Sequence, residues 1–233
     1  MKTHSAADSA FEVVVFDFDG TLVDSNEIKR DAYFEVAAAL GAVTDVVAEV
    51  LATVAGDRSR ILREIVLRSA ARQALPGART AEEWSAGLVA DYSAICERRI
   101  ALCPAVPGSL HALQQLQAGG CRLFVNSATP LDHLAKLLQL RGMEAYFHGV
   151  FGAPAGKVEN LAAIQRGEKI PFSRMLMVGD GEDDRLAARE VGCAFAGIVL
   201  HERRFQGDAD LVLSDLSGLP AFVAGWSTAG VLR

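Results

Sequence analysis

Short β-branched and apolar runs recur along this chain, and stretches with helical spacing separate them. Val13-Val14-Val15-Phe16 ends at Asp17, Arg122 to Val125 ends at Asn126, and Met175 to Val178 ends at Gly179. Ala196 to Leu200 and Leu211 to Leu213 complete the set. Runs this short and this uniformly apolar read as strands buried on both faces, the signature of a parallel sheet. Between them, Leu110 to Gln117 stops at Gly119-Gly120, Leu131 to Leu140 stops ahead of Gly142, and Asp183 to Val191 leads to Gly192. Helices closed by glycine and alternating with strands predict an α/β core with helices on both faces of the sheet.

One stretch breaks the alternation. From Asp24 to Cys103 the pattern is helical and no strand is evident. Ala32 to Leu40 stops at Gly41, Ile61 to Ala70 carries an apolar stripe, and Trp84 to Ile100 forms a third helical segment. The division expected is a core of residues 11–23 and 104–233, a helical insert of 24–103, and a loose tail of 1–10. Pro104 to Gly108 is the turn-rich return point.

A chain of 233 residues with 51% hydrophobic residues can bury a core of this size. Its formal net charge of -6 makes a nucleic-acid partner a poor expectation, because a phosphate backbone selects a basic face. No apolar run reaches the ~20 residues of a membrane span, and Met1 to Ala10 lacks an apolar leader segment. Cys96, Cys103, Cys121 and Cys193 show no metal spacing and read as reduced thiols. The expectation is a cytoplasmic protein, monomeric or homodimeric, with no membrane partner. The five histidines occur in no spacing that suggests a site.

In open α/β sheets, ligands bind beyond the carboxyl ends of the strands. Those positions hold Asp17-Phe18-Asp19-Gly20-Thr21-Leu22, Asn126-Ser127-Ala128-Thr129 and Gly179-Asp180-Gly181-Glu182-Asp183-Asp184, with Gly156-Lys157 between the last two. Acids, a hydroxyl and a lysine therefore converge on one edge. Clustered carboxylates away from water need a neutralising cation, and all-oxygen donors select a hard divalent ion such as Mg2+.

DFDGTL, VNSAT, the Lys157 region and VGDGEDD resemble the four signature motifs of the haloacid dehalogenase superfamily, in order and across essentially the whole chain. The resemblance implies a Rossmann-like α/β core with an inserted α-helical C1 cap, on the branch of phosphoglycolate phosphatases and β-phosphoglucomutases. It implies a Mg2+-dependent phosphatase that hydrolyses small phosphorylated metabolites, phosphoglycolate or sugar phosphates, through an aspartyl-phosphate. Asp17 would be the nucleophile and Asp19 the general acid and base. Ser127 and Lys157 would steady the phosphoryl group. The metal ligands would be Asp17, the Asp19 main-chain carbonyl, Asp180 and Asp184, with Asp183 the alternative to Asp184. Gly20 would approach the substrate and donate its N–H. Thr21 and Asn126, placed with the substrate-binding residues, would hold the site in shape. Gly56-Asp57-Arg58-Ser59-Arg60 resembles the cap's specificity loop, so Arg58 and Arg60 would bind the leaving group.

Two positions depart from the pattern. Lys157-Val158-Glu159-Asn160-Leu161 replaces a Pro-x-Pro-Asp segment, and Gly181 stands where serine is frequent. Lys29 occupies the place of a histidine carried by the mutases, which favours hydrolysis over phosphoryl transfer to a sugar. A mutase and a non-catalytic phosphate-binding protein are the alternative readings.

Overall fold

The computed structural model describes residues 11–226; the expected N-terminal tail, 1–10, lies outside the described residues. The chain divides into two compact units. One runs up to Asp24 and resumes at Cys103; the other is Ser25–Leu102.

The first unit is a parallel α/β sheet. Six strands, β1 Val13–Phe16, β2 Arg122–Pro130, β3 Gly149–Ala153, β4 Met175–Gly179, β5 Ala194–Ile198 and β6 Leu211–Leu213, lie in the order β3-β2-β1-β4-β5-β6. Every pairing is parallel. β1 is central: Val15 lies beside Phe124 of β2 and Met177 of β4. All four β1 residues are fully buried, as an uninterrupted apolar run requires. The connecting helices are α5 Ser109–Ala118, α6 Leu131–Leu140, α7 Lys157–Glu168 and α8 Glu182–Val191, followed by α9 Leu219–Gly225. Val13, Val15, Phe124 and Met177 pack with Leu161 and Ile164 of α7 and Ala187 and Ala188 of α8 in one core cluster. Right-handed crossovers put α5 and α6 on the opposite face, because the chain moves outward from β1 to β3 and then returns to β4. The strand order reverses between β1 and β4, so a crevice opens at their carboxyl ends.

The second unit is helical. It contains α1 Asn26–Ala37, α2 Thr44–Thr53, α3 Arg58–Arg72 and α4 Ala81–Ile100. Asp57 caps α3 by accepting from the Arg60 N–H at 2.9 Å, and Thr80 and Glu83 form a capping box on α4. Val36, Leu40, Val47, Val50, Leu62, Ile65, Val66 and Leu88 fill its core, and the rings of Tyr33 and Tyr92 stand 4.4 Å apart. No described helix is long and apolar enough to cross a membrane.

The structure departs from sequence expectation in several places. β2 continues to Pro130, so Asn126-Ser127-Ala128-Thr129 lies inside the strand; its register against β3 shifts between Asn126 and Pro130. β3 was not anticipated, because two glycines dilute its apolar run. Both permit close packing. A Cβ on Gly152 would lie 2.6 Å from the Thr129 carbonyl oxygen and 2.8 Å from the Leu131 nitrogen, and one on Gly149 would press on the Phe124 ring. Helices α2, α7 and α9 were not singled out either. The helix expected over Ala32 to Leu40 instead starts at Asn26 and ends in a 3-10 turn at Ala38–Leu40. The fifth strand is Ala194–Ile198, two residues earlier than its apolar run suggests.

Two predictions follow from the core unit. Gly152→Ala must push backbone atoms apart, since neither close neighbour is a mobile side chain. It should destabilise the protein by about 1–3 kcal/mol, read as a lower urea midpoint; an unchanged midpoint would contradict the packing argument. Glu182 tethers the start of α8 to the loop before β6: it accepts from Arg185 at 2.9 and 2.6 Å and from the Gln206 N–H at 2.7 Å. These bonds, those of Arg185 foremost, hold its carboxyl down at about 2, against a usual 4.5. A depressed carboxyl stabilises the fold above its unfolded pKa and loses that contribution as pH falls toward the folded value. Glu182→Gln should therefore be less stable than the parent at pH 6, with the gap closing between pH 4.5 and 2. The gap should be small, because the carboxylate is partly solvated. Equal gaps at pH 6 and pH 2.5, measured by denaturant titration, would refute it.

Candidate active site

β1 ends by delivering Asp17 to the crevice. Its N–H completes the sheet by donating to the Val178 carbonyl at 2.8 Å. The chain then turns sharply, with the Leu22 and Val23 N–H groups both donating to the Phe18 carbonyl. Phe18 itself is fully buried and anchors the turn, which leaves Asp17 and Asp19 on the side facing the crevice. β4 delivers Asp180 from the neighbouring strand end, and α8 brings Asp184 back over it.

Glycine makes that return possible. A Cβ on Gly179 would sit 2.2 Å from the Asp184 Cγ, so the carboxyl occupies the space a side chain would fill. Gly181 donates its N–H to Asp184 Oδ2 at 3.0 Å. A Cβ there would lie 2.4 Å from Asp183 Oδ1, so the serine frequent at this position would crowd the acid beside it.

Carboxylate oxygens of Asp17, Asp180 and Asp184 all lie within 4.8 Å of one another, and all three residues are buried. Lys157, at the first position of α7 and 8% exposed, reaches into the group. Its Nζ donates to Asp17 Oδ2 at 3.0 Å and to Asp184 Oδ1, and pairs with Asp183 at 3.0 Å. Burial pushes the Asp17 and Asp184 carboxyls above their usual range, against the pull of the Lys157 ammonium. Burial alone would lower the lysine; the carboxylates of Asp17, Asp184 and Asp183 outweigh it and hold the ammonium well above its ordinary value. One ammonium does not neutralise this many acids. A buried all-oxygen donor set fits a hard divalent cation, whose two charges would bring the carboxyls back to their ionised form.

The anticipated residues divide by what they touch. Asp17, Asp180, Asp184 and Lys157 converge as above, with Asp19 6% exposed beside them and Ser127 buried on β2. Asp184 is fully buried within the triad, whereas the Asp183 side chain is 62% exposed and meets only the lysine among these groups. Three residues expected near the substrate turn hydrogen bonds inward. The Gly20 N–H is spent on the Val23 carbonyl at 2.8 Å, so the residue serves the turn, at φ +76°, rather than donating to a ligand. Thr21 donates to Asp180 Oδ1 at 3.4 Å and steadies that carboxylate. Asn126 is engaged on both ends of its amide: Nδ2 donates to the Lys157 carbonyl at 3.0 Å, and Oδ1 accepts from Asn160 at 2.9 Å. These two therefore position other site residues. Arg58 and Arg60 belong to the helical unit, in the first turn of α3, where Arg58 is half-buried and Arg60 exposed.

Sequence reasoning missed Asn160 and Thr129. Asn160 is 4% exposed on the apolar side of α7 that also carries Leu161 and Ile164. A buried amide in such a stripe must find partners, and that was the available signal. Thr129 donates to Asp19 Oδ2 at 2.8 Å; its own sequence context carried no such sign. None of the four cysteines forms a disulfide, and burial pushes the Cys193 thiol up to about 12, which leaves it unreactive.

Known proteins align with this arrangement. The family described as haloacid dehalogenase-like hydrolase matches residues 11–192. A phosphoglycolate phosphatase from Vibrio parahaemolyticus is 28% identical over 228 residues, covering 91% of this chain and 96% of the relative. Among solved structures, a predicted phosphoglycolate phosphatase from Haemophilus somnus superposes with a TM-score of 0.74 at 19% identity, over 92% of this chain and 99% of that one. CbbY from Rhodobacter sphaeroides, solved in complex with phosphate, gives a TM-score of 0.68 at 22% identity, over 90% and 96% of the two chains. With its sheet order, its buried acids and a family match over most of its length, the chain belongs to the haloacid dehalogenase-like hydrolases.

Proposed function

We propose that this hydrolase is a Mg2+-dependent phosphatase of small phosphomonoesters, working through an aspartyl-phosphate on Asp17. One observation carries the reading: a lysine ammonium bridges two buried carboxylates, Asp17 and Asp184, at the strand-order switch point, with a third acid, Asp19, two residues from Asp17. The names of the aligned relatives support phosphoglycolate as a substrate to test first, and CbbY, of the same fold, was solved in complex with phosphate.

The chemistry divides among the residues. The Asp17 carboxylate attacks phosphorus while the bond from phosphorus to the ester oxygen breaks. The leaving oxygen keeps the electron pair and takes a proton from the Asp19 carboxyl. Asp19, now a carboxylate, accepts a proton from water as that water attacks the phosphorus of the acyl phosphate. The bond from phosphorus to Asp17 then breaks and inorganic phosphate departs. Lys157 keeps Asp17 ionised and offsets charge on the phosphoryl oxygens as they rearrange. Ser127 holds a phosphoryl oxygen: its Oγ accepts from the Thr129 N–H at 3.2 Å, which leaves the hydroxyl proton to be donated. Asp17, Asp180 and Asp184, with the Asp19 main-chain carbonyl, would hold Mg2+, which supplies charge neutralisation to the carboxylates and to the phosphoryl group.

The test is a panel of phosphorylated metabolites assayed for phosphate release with Mg2+ and again with excess chelator. Release should depend on the metal, and Asp17→Asn should remain folded while losing activity by several orders of magnitude. Near-normal turnover in Asp17→Asn would overturn the nucleophile assignment. Transfer to a sugar acceptor without phosphate release would establish the mutase instead. Metal binding with no turnover across the panel would establish a phosphate-binding protein.

A further inference from the structure

The loop that follows β5 runs along the edge of the crevice. His201 places Nε2 3.2 and 3.1 Å from the two carboxyl oxygens of Asp24, in the segment after the β1 turn. In the sheet, β4 lies between β1 and β5. A bond from the loop after β5 to the segment after β1 therefore passes beyond the end of β4, where Asp180 stands. The far end of the loop is tied as well. Arg204 forms a parallel backbone bridge with Gly181, and the Gln206 N–H donates to Glu182 at 2.7 Å. The two arginines of the loop differ in what they touch. Arg203 folds back: its Nε donates to the Phe205 carbonyl at 3.2 Å, and its guanidinium stands 4.5 Å from the Phe205 ring. Phe205 is buried in the core cluster with Phe195. Side chains of a strand-paired segment alternate between its two sides. Arg204 is thus left opposite Phe205, exposed beside Gly181, with no side-chain partner among the described residues.

The charge of Arg204 meets a need that the acidic cluster does not fill. Lys157 is already committed to Asp17, Asp183 and Asp184. A substrate with a negative group besides its phosphoryl group would enter a field dominated by carboxylates, so attraction has to come from a cation outside that cluster. A guanidinium suits the task, because its fork of donors matches the paired oxygens of a carboxylate or a phosphate. We propose that Arg204 is a specificity-determining residue that binds a second anionic group of the substrate, so that the enzyme favours phosphomonoesters carrying one; this rests on reading Asp17 as the residue that receives the phosphoryl group. The second group does not react. Its contact with Arg204 is equally strong before and during phosphoryl transfer, and it therefore acts on KM rather than on kcat.

Paired esters isolate this role. Phosphoglycolate and 2-hydroxyethyl phosphate differ in the carboxylate; fructose 1,6-bisphosphate and fructose 6-phosphate differ in the second phosphate. The parent should favour the doubly anionic member of at least one pair, and the pair that responds identifies the anion. Arg204→Gln should raise KM for that member by about 10-fold or more, with its kcat and both parameters of its partner little changed. Arg204→Lys, which keeps the charge without the fork, should recover part of the loss. Equal KM rises on both members of a pair, or no rise on either, would overturn the role, because a loosened loop does not discriminate charge. A lysine variant no better than glutamine would overturn it, as would a parent that favours the singly anionic member of both pairs. A parent that hydrolyses none of the four esters overturns it too, and phosphate release from other esters of the panel would then leave the phosphatase reading standing. Asp17→Asn, run in parallel, separates the two readings. If it abolishes turnover while Arg204→Gln shows no charge discrimination, only the Arg204 role falls. If Asp17→Asn keeps its turnover, the nucleophile assignment falls and the Arg204 role with it.

Discussion

The Lys157 ammonium, held between Asp17 and Asp184, is the interaction on which the rest of this site depends. Three buried carboxylates inside 4.8 Å repel one another and resist desolvation, and both effects push them toward the neutral form. The lysine pulls the other way, and the contest between burial and pairing sets the protonation of the whole group. On the proposed mechanism Asp17 has to be ionised to attack, so the placement of this one amine would be a condition of the chemistry as well as of the fold.

That placement is secured by amides. Asn160 donates to the Asn126 side chain and to the Ala155 carbonyl, at 2.9 and 3.4 Å, while Asn126 donates to the Lys157 carbonyl. The network ties the middle of β2 to the first turn of α7. Hydrogen bonds of this kind fix the helix start. Each amide is buried, so each bond that failed would leave a polar group without water.

Much of this was legible in the amino-acid sequence, for reasons that differ between elements. Val13–Phe16 and Met175–Val178 announce themselves because a doubly covered strand has nowhere to put a polar side chain. The acids at Asp17, Asp19, Asp180 and Asp184 were readable because their positions follow directly from those strands. β3 was not, since glycine is chosen there for close backbone approach, which is a property of neighbours far away in the chain. Gly20, Thr21 and Asn126 show a related limit: a residue beside a reactive group is expected to face a ligand, but the hydrogen bonds of these three turn inward to the turn, to Asp180 and to the lysine's helix. Sequence spacing places a residue near a site; only tertiary partners decide which way it points.

The position of β1 has a consequence for biosynthesis. Val13 pairs with Arg122 on one side and with Met175 on the other, so the first strand of this sheet waits longest along the chain to gain both neighbours. While the ribosome adds the intervening residues, an entirely apolar segment waits without its sheet, and an unpaired strand of that kind is a template for association with other chains. Ser25–Leu102 has a core of its own and can form during that interval. The strand order thus leaves β1 unpaired on one side until β4 has been made, however early the helical part folds.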